Sequence, residues 1–561
     1  MADDEKNRVV RMNNAGRYGR LLPTGALMAA LLTLAVFYRA TGNDFVDLDD
    51  LGYIVGNPHI RSFDLRMLAD SFSRFFEANW HPLTMISLAL DFRLWGMNPF
   101  GFHLTSIVIH ACSVFLACFL FADLFMEAGT FAAGEGADDA RLSRNGEFAS
   151  IAGALFFGLH PLRVESVAWA SERKDVLCVF FMISAMWWHV RHVRRSREAA
   201  GEHALWSGPY LMVLLMACLA LLSKPSAVSL LPVLLVIDWY PLGRINGLKS
   251  LGRSLAEKIP LLVMTIAVAL VTVAAQKFAI TRAPDVDPLS RLLVACKALL
   301  FYLWQTLWPA GLAPFYPHPG NVHETALLSY LPFLVLVAVL CLAIALSARH
   351  DRTWAALWLF YLSVLLPVLG IIQVGGQWVA DRYTYLPALA VSLLWGGGVF
   401  RLAEKLRLKG ISVAAVVVIV AAIVQLALYS AQTVRLIPVW RNSETLETRE
   451  ISLFPHQVVA AYYSRAKYRN EQGRFAEALE DIDETLDIAR RKQLPEKYAA
   501  IHVARADILR NLGRFPEALA AAESAIRESV KAPPEAYFSF RNELAGRVAA
   551  AGKPMFPQRR N

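Results

Sequence analysis

Long apolar blocks separated by short charged segments fill the chain from residue 21 to residue 430. Blocks of roughly 18 to 22 apolar residues are long enough to cross about 30 Å of hydrocarbon as helices. The pattern therefore predicts an all-α fold whose main part is a polytopic membrane domain with about eleven spans. We place these spans near residues 21–40, 103–126, 149–168, 174–191, 209–223, 226–241, 259–278, 326–347, 353–372, 383–403 and 411–430.

A twelfth apolar block, residues 292–309, is better described as a re-entrant or interfacial helix. Five connections are rich in Lys and Arg, and the positive-inside rule places such connections in the cytoplasm. Eleven spans satisfy the rule for all five, whereas a twelfth span would move the last two to the other side. Lys297 within the block and the flanking Pro288 and Pro309 agree with this interpretation. The basic connections are 1–20, 191–198, 243–258, 348–352 and 401–409.

The odd number of spans sets the sidedness of the chain. Residues 1–20 are predicted to be a cytoplasmic tail, and since no small-residue cleavage site follows the first apolar block, that block indicates a span rather than a removable signal. Everything after the membrane domain, residues 21–431, is then extracytoplasmic. The membrane domain itself has extracytoplasmic loops at 41–102, 160–175, 279–325 and 373–387.

Beyond residue 431 the composition becomes charged and Ala-rich, with helical periodicity. The heptapeptide GRFAEAL at 473–479 recurs as GRFPEAL at 513–519. Gly, an aromatic residue two positions later and Ala at fixed spacing, with Pro at the end of the unit, are typical of tetratricopeptide (TPR) helix–turn–helix repeats. The pattern predicts a TPR α-solenoid over residues 432–554, followed by a short tail at 555–561.

The composition agrees with a membrane protein, because 56% of the 561 residues are hydrophobic and only 18% are charged. All six cysteines fall in apolar blocks, which indicates packing residues rather than a disulfide framework or a metal site. No Cys/His cluster has zinc spacing, and no Gly-rich phosphate loop occurs; WGGGV at 395–399 instead indicates close helix packing. The arginines of 191–198 indicate topology rather than nucleic-acid binding.

Acidic and basic side chains gather where the spans meet the extracytoplasmic loops. Ionisable groups next to hydrocarbon are costly and usually mark a site or a pathway. A sugar carried on a lipid phosphate needs both signs of charge: Arg and Lys neutralise the phosphate, and a carboxylate accepts the proton of the attacking hydroxyl. The acids are Asp49, Asp50, Glu165, Glu172, Asp175 and Asp381, and the bases are Arg163, Arg173, Lys174, Lys224 and Arg382.

Five stretches together resemble a known family. In order they read DDLGYIVGNPHI, HPLTMISLALDFRLWGMNPFGFHLTSIVIH, GLHPLRVESVAWASERKDVL, LLSKPSAVSLLPVLLVIDWYP and ADRYTYLP. With the repeat tail they resemble the transmembrane and tetratricopeptide-repeat-containing family and its bacterial relatives, in the GT-C glycosyltransferase superfamily. The resemblance covers roughly residues 41–545. It implies transfer of a sugar from a polyprenyl-phosphate donor, without a sugar nucleotide.

The resemblance also implies roles for individual residues. The acidic pair of the first loop matches Asp49, the expected catalytic base, and Asp50, expected to orient the acceptor or to share that role. Residues expected to bind the donor phosphate are Arg382, Tyr383, Lys224, Arg173 and His81, and a supporting polar network is expected from His160, Glu165 and Asp175. His81 stands where relatives often carry Arg, so it would contact phosphate only when protonated or as a neutral donor.

Structural roles stay open for the same residues. Asp49 and Asp50 could form a helix N-cap, and Glu165, Arg173 and Asp175 could be an ion-pair set that holds a short loop. Arg382 could pair with a neighbouring loop acid. At the cytoplasmic end, the sequence predicts a structural pair between Asp238 and Arg244.

The sequence thus favours an inverting membrane glycosyltransferase that moves a sugar, with mannose favoured, from a polyprenyl-phosphate donor to a hydroxyl. The acceptor would be a protein or glycan recruited by the TPR domain. One alternative is a transporter of lipid-linked sugars, which would carry ionisable groups towards the bilayer midplane. Another is a membrane-anchored TPR scaffold without catalysis. No cofactor or divalent metal is expected, because such donors carry a single phosphate. The absence of any Asn-x-Ser/Thr sequon favours a bacterial inner membrane, with a periplasmic TPR domain.

Overall fold

The computed structural model forms two compact units. The first takes in the chain up to Leu312 together with His318–Trp440, and the second comprises Ala313–Pro317 and the chain from Arg441 onward. The boundary predicted at 431/432 falls inside a helix that ends at Leu436, so the division lies nine residues later, after Trp440. The structure describes residues 18–130, 139–198, 207–281, 286–322, 326–371 and 375–551, with 139–143, 278–281 and 551 described as backbone only.

Some predicted segments lie wholly or partly outside the described residues. They are the tail 1–20 up to residue 17, parts of the loops 279–325 and 373–387, the last three residues of 432–554, and the tail 555–561.

The first unit is helical, as the apolar pattern predicts. Its helices are α1 (Leu21–Phe37), α2 (Leu65–Ser73), α3 (Pro82–Trp95), α4 (Pro99–Glu127), α5 (Asp139–Leu159), α6 (Val164–Ala168), α7 (Arg173–Glu198), α8 (Gly208–Ser223), α9 (Leu230–Trp239), α10 (Leu248–Glu257), α11 (Ile259–Thr281), α12 (Pro288–Leu307), α13 (Leu327–Ser347), α14 (Arg352–Leu365), α15 (Ala388–Leu408) and α16 (Ser412–Leu436). The described chain has only two strands, β1 (Tyr316–Pro317) and β2 (Gln377–Val379), so the all-α prediction is confirmed.

Helices cover all or part of each of the eleven predicted spans. Six helical segments in the described chain are long and apolar enough to cross a membrane, by length and composition: Leu21–Gly42, Pro99–Glu127, Ala170–Glu198, Ile259–Lys277, Leu327–Ser347 and Ser412–Trp440. Three further apolar helical segments are shorter, at 10–17 residues. The multi-pass membrane architecture is therefore confirmed, whereas the count of eleven and the sidedness stay predictions. The re-entrant role of 292–309 also stays a prediction. Most of this block belongs to α12, which ends at Leu307.

The third predicted span, 149–168, is wrong at its end, because α5 stops at Leu159. Proline disfavours helical backbone at the preceding residue, and His160, before Pro161, is extended, with φ −70° and ψ 135°. The chain then makes a turn of short helices before α7 begins at Arg173. This compact turn, residues 160–172, carries several of the predicted site residues.

A buried ionic cluster lies far along α7 from that turn. The Asp238 carboxylate, which is fully buried, contacts His189 Nε2 at 2.8 Å and Arg244 Nη1 at 3.0 Å, and it also pairs with Lys258. The predicted pair of Asp238 and Arg244 is therefore confirmed. A buried carboxylate needs such partners to offset its desolvation, and here they fasten the segment after α9 to α7.

The second unit is a row of helices in which each packs against the next. They are α17 (Ser443–Leu453), α18 (Val459–Glu471), α19 (Phe475–Arg491), α20 (Pro495–Asn511), α21 (Phe515–Arg527) and α22 (Glu535–Ala551). The repeated heptapeptides occupy equivalent turns: Gly473 and Gly513 both have φ +75°, which glycine adopts at no steric cost. Ala478 and Ala518 are both buried. The assignment of these hairpins to the TPR class stays a prediction.

The glycines of WGGGV permit a close approach between α15 and α5. A methyl group at Gly396 would collide with the backbone of Ala149 and Gly153, whereas one at Gly398 would meet nothing within 4 Å. The interpretation of this motif as helix packing is confirmed. Backbones that approach this closely tolerate only small residues.

We expect Gly396→Ala to destabilise the membrane unit by about 1–3 kcal/mol, because the added methyl forces packed backbone apart. Gly398→Ala is the matched control, since it makes the same chemical change on the same helix in open space. The melting temperatures of both variants in detergent test this. Equal melting temperatures would contradict the close packing of α15 on α5.

Candidate active site

Asp50 ties the first loop, residues 41–102, to the turn 160–172. Its side chain is buried, with Oδ2 accepting a hydrogen bond from Val46 N at 3.0 Å and Oδ1 from Ser171 N at 2.9 Å. Burial raises the pKa of Asp50 to about 6, although the Val46 and Ser171 amides favour the ionised form. Both oxygens thus hold the first loop against the turn, and the expected role of Asp50 towards an acceptor stays a prediction.

Asp49, the neighbouring acid, stands at the surface. Its side chain is 41% exposed, and Oδ2 lies 3.0 Å from Nζ of Lys174. The ammonium group is itself nearly buried and faces the rings of Tyr53 and Trp169 at 4.9 and 5.6 Å. The Asp49 carboxylate is thus held in place by one cation while it still faces solvent, as a base that must reach a substrate would.

Glu172 gathers three cations from separate parts of the chain. Its side chain is only 2% exposed. Oε1 lies 3.1 Å from Lys174 Nζ and 3.5 Å from Arg382 Nε, and Oε2 lies 3.5 Å from Lys224 Nζ. Because positive groups so close together repel one another, the shared carboxylate stabilises their convergence.

Glu165 and Asp175 complete the ionic network around Arg382 and Lys224. Glu165 accepts a hydrogen bond from the Arg382 backbone N at 2.7 Å and pairs with the guanidinium. Asp175 pairs with Lys224 and accepts from Ser166 Oγ at 3.3 Å. Burial opposes the charge on Lys224, but Asp175 and Glu172 more than offset this and raise its pKa. Glu165 is therefore the ion-pair partner of Arg382, and Asp175 is that of Lys224. Both cations are predicted to bind phosphate.

Lys224 and Arg382 border a small crevice of about 40 Å³ whose lining is part polar and part apolar. The polar lining residues include Lys224, Arg382, Tyr383 and Asp175, and the apolar lining residues include Val364, Val368, Met182, Leu386 and Pro387. Tyr383 accepts a hydrogen bond from Gln377 Nε2 at 3.1 Å, and its ring lies 5.1 Å from the Arg382 guanidinium carbon. The lining thus combines two cations with apolar side chains.

His81 and His160 lie in the protein interior. His81 packs edge-on against Tyr53, and its Nε2 makes no hydrogen bond within the described chain. Burial lowers the pKa of His81 to about 3, and Lys174 and Lys224 add to the effect, so a protonated His81 is not available at neutral pH. His160 Nε2 bonds the Thr306 carbonyl at 2.9 Å and Nδ1 accepts from Leu162 N, which makes it a structural residue of the turn.

Arg173 is placed in the scaffold rather than at the crevice. Its side chain is fully buried and pairs with Asp91 Oδ2 at 2.7 Å. It also donates to Ser106 Oγ at 2.9 Å and to Ser87 Oγ at 2.8 Å. These contacts join α7 to α3 and α4, so the structural alternative for Arg173 describes the observed geometry better than phosphate binding.

Sequence reasoning did not assign site roles to Glu172, Lys174 or Asp91. Glu172 and Lys174 belong to the predicted set of acids and bases near the extracytoplasmic loops, but the spacing of the run ERKD does not say which charges meet. Asp91 carries a clearer signal, since it is an acid inside the apolar stretch SLALDF. Such an acid needs a partner, but the sequence does not show that the partner is Arg173.

Among the described residues, no group of three or more His, Cys, Asp or Glu side chains could hold a metal ion. The expectation that no divalent metal is required stays a prediction.

We expect Arg173→Leu to lower the free energy of unfolding by about 3–5 kcal/mol, because it leaves the Asp91 charge buried without its cation, with the Thr105 hydroxyl still donating to it. Arg195→Leu, at an exposed position on the same helix, should change stability little. Melting temperatures in detergent check this. An Arg173→Leu protein as stable as wild type that fails only to bind a lipid phosphate would restore the phosphate-binding role.

Asp50 should make stability depend on pH. Its pKa in the folded protein, about 6, exceeds its ordinary value of 3.8, so the folded state holds the proton more tightly. Stability from this group is greatest below about pH 4 and is lost as pH rises to about 6. Relative to Asp50→Asn, wild type should gain on the order of 2 kcal/mol between pH 7 and pH 4. Melting curves of both proteins test this, and a difference independent of pH would contradict it.

Comparison with known proteins places the chain beside one group of membrane proteins. Protein O-mannosyl-transferase TMTC1 of Homo sapiens is 25% identical over 82% of this chain and 54% of its own length. Protein O-mannosyl-transferase TMTC4 of Homo sapiens is 24% identical over 81% of this chain and 65% of its own length. The chain therefore spans between about half and two thirds of these relatives. No family model matches it.

Among solved structures, ArnT from Cupriavidus metallidurans bound to undecaprenyl phosphate has a TM-score of 0.34 and 14% identity, over 88% of this chain and 79% of that chain. A TM-score at this level does not define a shared fold. The sequence comparisons nevertheless confirm the resemblance read from the motifs: the chain is similar, over four fifths of its length, to the transmembrane and tetratricopeptide-repeat-containing proteins named as protein O-mannosyl-transferases.

Proposed function

We propose that the protein is an integral-membrane glycosyltransferase of GT-C type. It transfers a sugar, with mannose favoured, from a polyprenyl-phosphate donor to a hydroxyl acceptor at the extracytoplasmic face, with inversion at the sugar carbon. The observation that carries the proposal is the crevice that Lys224 and Arg382 line together with Val364 and Val368. The printed names of the relatives support the transfer of mannose to protein.

The lining of the crevice offers contacts for both halves of the donor. Its phosphate would lie against Lys224 and Arg382, and the first part of its isoprenoid chain against apolar lining residues. The guanidinium has five N–H donors, and the two carboxylates that contact it, Glu165 and Glu172, engage only some of them. The remaining donors and the Lys224 ammonium neutralise the phosphate as it leaves.

Asp49 supplies the base. As the acceptor oxygen bonds to the anomeric carbon, the bond from that carbon to the phosphate oxygen breaks, and the hydroxyl proton passes to the Asp49 carboxylate. The products are the glycosylated acceptor and polyprenyl phosphate. A chain of ionic contacts, through Lys174 and Glu172, links Asp49 to the two phosphate-binding cations, and this fixes the base relative to the leaving group.

The helical repeats of the second unit provide a surface for the acceptor. Stacked helical hairpins of this kind form extended concave faces that suit a peptide segment. We assign them the recruitment of a protein acceptor, on the extracytoplasmic side, which in a bacterium is the periplasm.

The test uses purified protein in lipid with radiolabelled polyprenyl-phosphate mannose, with water or peptides as acceptor. We expect wild type to consume donor, and Asp49→Asn to lose turnover by about 10²-fold or more while donor binding survives, since the carboxamide keeps the shape but cannot take the proton. Asp44→Asn, at an exposed acid of the same loop, is the matched control and should turn over normally.

Arg382→Gln and Lys224→Gln should weaken donor binding in the same assay, because each removes a cation from the lining of the crevice. No turnover by wild type with any polyprenyl-phosphate sugar, or full activity in Asp49→Asn, would contradict the proposal. Transport of a labelled lipid-linked sugar without its consumption would instead indicate a transporter.

A further inference from the structure

A large apolar cavity of about 310 Å³ lies between α4, α7, α9, α14 and α15 of the first unit. On α14, Val364 borders the crevice, whereas Thr353 to Phe360 border the cavity. The cavity has one charged end, at Asp351, which we call its mouth. At 1.5 Å rise per residue, Asp351 is about 20 Å along the helix from Val364. The mouth thus lies at the opposite end of α14 from the crevice, on the side predicted to be cytoplasmic.

Charge is confined to the mouth of this cavity. Of the residues that line it, only Asp351 and Arg401 are charged. Asp351 and Arg401 attract each other, and their two charges balance. The segments that carry them are basic, however, because 348–352 adds Arg349 and Arg352, and 401–409 adds Lys405, Arg407 and Lys409 against Glu404. The surroundings of this end of the cavity are therefore positive.

Aromatic residues mark the same level of the molecule. Trp354 lines the mouth and is 49% exposed, and Tyr240 accepts a hydrogen bond from Thr353 Oγ1 at 2.7 Å. Nearby, Arg352 lies 5.7 Å from the ring of Trp239. Trp, Tyr and Arg gather in this way where a helix bundle meets the boundary between hydrocarbon and headgroups.

We propose that the cavity binds an anionic membrane phospholipid, with an acyl chain inside it and the headgroup phosphate on Arg401. Its volume is within the range of ligand pockets, roughly 300–1,000 Å³. A cavity with apolar walls does not hold ordered water and accepts apolar guests. Acyl chains are the apolar molecules that surround these helices, and the positive surroundings of the mouth select a negative headgroup.

Other occupants fit less well. A helix of another protein, about 10–12 Å across with side chains, is too wide for a cavity of this volume. A polar metabolite would find few hydrogen-bond partners on the walls. The isoprenoid chain of the donor would have to bind with its phosphate at the opposite end from Lys224 and Arg382.

Gly398 offers a direct test because it lines the cavity and a methyl group there would meet nothing within 4 Å. Gly398→Leu fills the space, and leucine favours helix more than glycine does, so folding should be retained. Native mass spectrometry of the delipidated full-length protein would be used to measure binding of phosphatidylglycerol and phosphatidylcholine with identical chains.

We expect wild type to bind one phosphatidylglycerol about tenfold more tightly than phosphatidylcholine. Gly398→Leu should weaken phosphatidylglycerol binding at least tenfold, and Arg401→Gln should remove the headgroup preference while a lipid still binds. Gly546→Leu, where added atoms also meet open space, and Arg407→Gln, which removes an exposed charge outside the cavity lining on α15, are the controls and should behave as wild type.

Equal binding of phosphatidylglycerol by wild type and a folded Gly398→Leu would overturn the proposal, as would equal affinity of wild type for the two lipids. So would displacement of the bound lipid by equimolar polyprenyl phosphate, since that would assign the cavity to the donor chain. None of these readouts uses the transfer reaction, so the lipid site and the proposed function fail or stand separately.

Discussion

The organisation of the candidate active site depends on the pairing of buried charges, with Glu172 in contact with three cations. Lys174, Lys224 and Arg382 come from three different segments of the chain. Each of them also pairs with a second acid, which is Asp49, Asp175 or Glu165 in that order. A buried charge is tolerated only when it is well paired, and this network joins the first loop, the start of α7, the end of α8 and the segment before α15.

The division of labour between neighbouring residues follows from burial. Asp50 uses both oxygens to hold the first loop on the turn, which leaves the adjacent Asp49 exposed and fixed by Lys174. In the same way, Arg173 pairs with Asp91 in the protein interior, while the adjacent Lys174 pairs with Asp49 at the candidate site. In each pair one residue builds the site and the other is available to act in it, and the sequence alone does not distinguish the two.

The sequence predicts the parts of the structure that follow from local patterns. Apolar blocks give the helices, the glycines of WGGGV give the contact of α15 with α5, and the charges around Asp238 give its pair with Arg244. It fails where segments far apart in the chain decide the outcome, as in the sharing of Glu172 and the burial of His81. The predicted span 149–168 overlaps the predicted loop 160–175, and the structure agrees with the start of the loop, where Pro161 ends the helix.

The central claim is that Lys224 and Arg382 hold the phosphate of a lipid-linked sugar whose reacting carbon faces Asp49. The most direct measurement is an electron cryo-microscopy structure of the protein in lipid with a non-transferable analogue of polyprenyl-phosphate mannose. We predict density for the phosphate within hydrogen-bonding distance of Lys224 Nζ and the Arg382 guanidinium, with the sugar on the side of Asp49. A phosphate bound elsewhere, or a sugar directed away from Asp49, would contradict it.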